Sequence, residues 1–100
     1  MDGARQISAR STARGVMVAI EEYFFIHQSY PDCSQCTMDT LVDSLKKYNL
    51  FTKVPDNPYT GEPYTGADSS GKMVYHRLSQ TEYTLRVYGR DNDAIILQYP

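Results

Sequence analysis

The chain has 100 residues, 41% of them hydrophobic, which supplies one modest core and predicts a single domain spanning 1–100. Its net charge of -2 and pI near 5.5 exclude a general attraction to nucleic acid or to anionic membrane, whose readers are usually basic overall. No run approaches the roughly 20 apolar residues of a bilayer span.

The opening Met1-Asp2-Gly3-Ala4-Arg5 leads into polar sequence rather than the apolar run of a signal peptide, so the natural start is expected upstream. From Arg5 to Gln28 the pattern is helical. At 100° per residue, Ala13, Val16, Met17, Ile20, Tyr23, Phe24 and His27 fall within an arc of about 120°, the width of a core-facing stripe. Ile7, Val18 and Phe25 fall within about 20° of one another on a different side. Two readings of this second line stand side by side: scattered exposed apolar residues, which are normal, and a helix covered on two sides, by its own domain and by neighbouring subunits. Arg10, Arg14 and Glu21 form a polar strip between the lines, either a solvated face or charges paired between subunits.

Pro31 disfavours helical geometry at the residue before it, which places the helix end near Ser29 or Tyr30. Asp32 to Cys36 is expected as a turn. Thr37 can cap a second helix, Met38 to Asn49, with Asp39 in its first turn. Leu41, Leu45 and Tyr48, flanked by Val42 and Leu50, give that helix its apolar face. Residues 54–66 hold three prolines and two glycines, which exclude regular helix and predict an ordered loop packed by its own tyrosines.

Beyond Gly71, Lys72–Leu78, Tyr83–Tyr88 and Ala94–Tyr99 are rich in β-branched and aromatic residues, and short turns separate them. Connections this short predict a three-stranded antiparallel meander. Leu85 and Val87 alternate with Thr84, Arg86 and Tyr88, so one sheet face can pack on the long helix. The predicted class is α+β: a long helix (5–28), a short helix and proline-rich loop (29–71), and a meander (72–99).

In this order the elements resemble the globular part of a type IV pilin-like subunit, in particular a type II secretion pseudopilin. Ala9-Arg10-Ser11-Thr12-Ala13-Arg14, Ala19-Ile20-Glu21-Glu22-Tyr23 and Tyr30-Pro31 are similar to the C-terminal half of that family's long helix. Leu45, Leu50 and Val54-Pro55-Asp56-Asn57-Pro58-Tyr59 resemble its leucine-rich segment and the proline-aspartate loop before the sheet. The resemblance implies an upstream apolar anchor helix, beginning with a processed and methylated Phe, that holds the subunit in the bacterial inner membrane and then forms a filament core. It also implies a head in the periplasm or at the cell surface. The expected partners are further copies, other pseudopilins and an inner-membrane assembly platform; nucleic acid is not expected. The assembly residues would be Ile7, Arg10, Arg14, Val18, Glu21 and Phe25. A true pilin for adhesion, motility or DNA uptake shares the fold and is the alternative within the family.

Cys33 and Cys36 are the only cysteines, and their CxxC spacing admits a structural disulfide, a thiol-disulfide oxidoreductase site or a metal site. The disulfide reading staples the end of the first helix to the start of the second. The enzyme reading wants a βαβ context, whereas a long helix precedes this motif. Zinc needs about four ligands, and His27 and His76 are the sole histidines. His27 lies on the core stripe near the helix end, where a partly buried, hydrogen-bonded imidazole is expected. Asp91 and Asp93 in Gly89-Arg90-Asp91-Asn92-Asp93 offer oxygens to calcium, as the resemblance suggests, yet such residues also form plain hairpin turns, and no cofactor is expected. Arg5, Arg10 and Arg14 could touch DNA or lipid headgroups, but Arg5 projects about 140° from Arg10, which favours a solvated or subunit-bridging face. The nine tyrosines suit half-buried strands and packed loops.

Overall fold

The computed structural model describes residues 2–33 and 35–99. Helix α1 spans Asp2–His27. Its proline-free sequence carries Ala4, Ala9, Ala13 and Ala19, the strongest helix formers, along its length. The helix ends at His27, earlier than Pro31 requires, because Gln28 takes the left-handed conformation (φ 61) while its N–H still donates to the Phe24 carbonyl at 2.7 Å.

A two-residue strand, β1 (Cys36–Thr37), leads directly into α2 (Met38–Lys46). The expected cap at Thr37 is not made. Thr37 occupies the position, but its hydroxyl donates to Asp39 Oδ1, which also accepts the Thr40 N–H. Helix α2 ends three residues before Asn49, which is itself left-handed (φ 61), and Leu50 N–H folds back to the Leu45 carbonyl.

Strands β2 (Met73–Ser79), β3 (Glu82–Tyr88) and β4 (Ile95–Tyr99) follow. The sheet order is β1-β2-β3-β4, all antiparallel, so the sheet has four strands rather than three. The extra strand pairs Cys36 with Tyr75 and Thr37 with Val74. Two residues carry no periodic pattern, and this strand exists through its partner rather than through propensity.

Alternation then divides the sheet. Met73, Tyr75, Tyr83, Leu85 and Val87 are buried on one face, where they join Ala9, Ala13, Val16 and Ile20 of α1 and Met38, Leu41 and Leu45 of α2 in one cluster. Helix α1 contacts β3 and β4, and α2 contacts β1 and β2. The loop between α2 and β2 is ordered around Asn57, and Tyr64 within it is buried, as its aromatic content predicts.

Candidate functional site

The two faces of α1 separate cleanly. Ala9, Ala13, Val16 and Ile20 are fully buried, whereas Ile7 is 68%, Val18 47% and Phe25 83% exposed. Ile26, 55% exposed, widens the apolar surface beyond the predicted line. The second line therefore contributes nothing to this domain's core, and exposing a phenylalanine to that extent gives up most of what its burial could contribute, about 1.5–3 kcal/mol.

The polar strip divides differently. Arg10 Nη2 donates to the Ile96 carbonyl at 3.3 Å, tying α1 to β4. The Glu21 carboxylate accepts the Tyr30 hydroxyl at 3.1 Å and acts electrostatically on the nearby Tyr83 hydroxyl. Burial first, and the Glu21 carboxylate second, hold both tyrosine hydroxyls above their ordinary pKa of 10.0. Arg10 and Glu21 thus act inside the domain, and Arg14 stands exposed beside Ile7 and Val18.

Cys33 and Cys36 form a disulfide with a Cα–Cα distance of 5.9 Å; Ser34 between them lies outside the described residues. The bridge does not join the helix ends. It ties the Pro31–Cys33 segment, which runs beside β2, to the edge strand β1: Arg77 N–H donates to the Cys33 carbonyl at 3.1 Å and the Tyr75 hydroxyl donates to the Pro31 carbonyl at 2.6 Å. The Arg77 guanidinium also lies 3.4 Å from the Asp32 carboxylate. Cys36 is buried and Cys33 half-buried.

His27 packs between two tyrosine rings. Tyr23 and Tyr48 each lie 4.3 Å from it, centroid to centroid, and its Nε2 is buried without a hydrogen-bond partner among the described residues. The hydrogen bond expected of this imidazole is thus not made at Nε2, which faces aromatic neighbours instead. Asp91 is exposed on a single 3₁₀ turn, Arg90–Asn92, in which Asp91 (φ 59) and Asn92 (φ 55) are left-handed, and Asp93 is exposed just after it. Asn92 is the organising side chain there, accepting the Lys72 N–H at 2.9 Å and donating to the Asp68 carbonyl at 3.1 Å. Among the described residues no group of three or more His, Cys, Asp or Glu is arranged to hold a metal ion, and no helix is long and apolar enough to cross a membrane. No family model, curated protein or solved structure matches the chain.

Proposed function

We propose that this chain is the globular head of a pilin-like filament subunit, a pseudopilin acting in protein secretion, and that the exposed apolar line of α1 packs against neighbouring subunits. The observation that supports this reading is the division of α1 into a fully buried face and a separate exposed apolar face bearing Ile7, Val18 and Phe25. A helix that continues into a filament core must present surface to other copies as well as to its own sheet. Large exposed aromatics beside small or charged neighbours are also what an interface anchor requires.

Within this reading Arg14 is the member of the polar strip that bridges subunits, while Arg10 and Glu21 hold the domain together. The disulfide is structural, stiffening an edge of the sheet. The head stands outside the cytoplasm, and an upstream helix supplies the membrane anchor and the platform contacts.

The test is site-specific cross-linking in cells that make the full-length protein. A photo-reactive residue at position 25 is expected to give adducts between copies or with other filament subunits, and one at exposed Lys53 is expected to give few. Equal labelling from both positions would reject the assembly face.

A further inference from the structure

The sheet face opposite α1 carries a two-by-three array of side chains. Lys72, just before β2, is followed by Val74 and His76 within it, and Tyr88, Arg86 and Thr84 run along β3; Val74 pairs with Arg86, and His76 with Thr84. Such opposed residues lie about 4.5–5.5 Å apart and their diagonal neighbours about 7–8 Å. Arg86 is therefore diagonal to both Lys72 and His76. With Gln35 and Asn92 the six line a concavity of about 320 Å³, and among the described residues no Asp or Glu lines it.

Three observations mark this as a place for an anion. Lys72 and Arg86, two basic side chains, line the same concavity from diagonal positions across the β2–β3 pair, and no acidic side chain lines it with them. The Arg86 Nε–H donates to Gln98 Oε1 at 3.1 Å, which orients the guanidinium. His76 Nδ1 is buried with no hydrogen-bond partner among the described residues. All this belongs to a chain whose net charge is -2, so the positive concavity is a local feature and not a reflection of composition.

We propose that this concavity is a binding site for a small soluble phosphate-bearing molecule. The phosphate sits between Lys72 and Arg86, which supply charge-assisted donors, with the hydroxyls of Thr84 and Tyr88 as further donors. The volume exceeds that of phosphate alone and is at the low end of small-molecule pockets, so the rest of the ligand lies along Val74 and the Tyr88 ring. A negatively charged chain with so confined a basic patch disfavours an extended polyanion or a membrane surface. Because α1 covers the other face of the sheet, the site is independent of the assembly reading and stays open whether or not α1 is engaged.

The experiment is an NMR titration of the intact chain with inorganic phosphate and with glycerol 3-phosphate, against sodium chloride at matched ionic strength, following the His76 imidazole and the Thr84 amide. Saturable shifts at both positions are expected with the phosphates alone. Lys72→Met and Arg86→Gln are expected to weaken them about tenfold or more each while circular dichroism stays unchanged, since both side chains lie on the outer sheet face. Shifts that chloride reproduces, shifts that survive both substitutions, or binding only to phosphatidylglycerol vesicles would each overturn the proposal.

Discussion

Asn57 shows how much of the order rests on one residue. Its side chain is fully buried, its Nδ2 donates to Asp68 Oδ2 at 3.1 Å and to the Ser70 carbonyl at 2.8 Å, and its Oδ1 accepts the Tyr59 N–H at 2.9 Å. Asn57→Ala is expected to cost about 2–3 kcal/mol in urea unfolding, because it strands buried polar groups on three sides. Gly71 stands against it: at φ +67 a Cβ there would meet the Tyr59 ring and come within 2.7 Å of Asn57 Oδ1. Gly71→Ala should therefore destabilise by about 2 kcal/mol or more, and the double variant should fall short of the sum because the two share partners.

Two tyrosine hydroxyls make a paired comparison. That of Tyr75 donates to the Pro31 carbonyl, and that of Tyr64 has no hydrogen-bond partner among the described residues. Tyr75→Phe is expected to cost about 1–2 kcal/mol and Tyr64→Phe about nothing in the same assay. Burial raises the pKa of Tyr64, Tyr75 and Tyr83 above the ordinary 10.0. Their stabilisation is full below pH about 10. Above it the unfolded chain loses these protons first, so stability falls by about 1.4 kcal/mol per pH unit for each tyrosine. Tyrosinate absorbance in native protein at pH about 11 should lie well below that in denaturant.

At the scale of elements, α1 separates two kinds of substitution. Ile20→Ala on the buried face should cost about 2–5 kcal/mol, whereas Val18→Asp and Phe25→Asp should each change stability by no more than about 0.5 kcal/mol. Gly15 is exposed, and a Cβ added there would meet nothing within 4 Å, so Gly15→Ala should stabilise the monomer by about 0.5–1 kcal/mol. The disulfide closes a loop with a sequence separation of 3, so replacing both cysteines by Ser should cost about 2 kcal/mol or less.

Much of this architecture is legible in the sequence. The 3.6-residue period of α1 marks both its faces, and the period-2 alternation of Leu85 and Val87 marks the inner sheet face, because burial imposes those spacings. The short strand β1 is not legible, since pairing with Tyr75 and Val74 is a long-range event with no local pattern. Neither is the early end of α1, which depends on Gln28 accepting a left-handed backbone. The roles of Arg10 and Glu21 also need the fold: helix angles place them on the strip but do not reveal Ile96 or Tyr30 across from them. The array of Lys72, His76 and Arg86 needs the strand register, though the outward alternation of Arg86 and Tyr88 is visible in the sequence.

At the scale of the molecule, the 26 residues of α1 rise about 39 Å, which matches the longest extent, 39 Å, of a body otherwise 24 × 21 Å. One helix thus forms the spine of the molecule, with the sheet along one side and the exposed apolar line along another. That geometry suits a subunit whose helices pack together while its sheets face outward. The central claim is that the exposed line of α1 serves assembly, and the direct measurement is electron microscopy of cells making the full-length protein with Val18→Asp and Phe25→Asp together. The account predicts that filaments disappear while the purified head keeps its circular dichroism spectrum and melting temperature. Filaments at undiminished density, or a head that no longer folds, would contradict it.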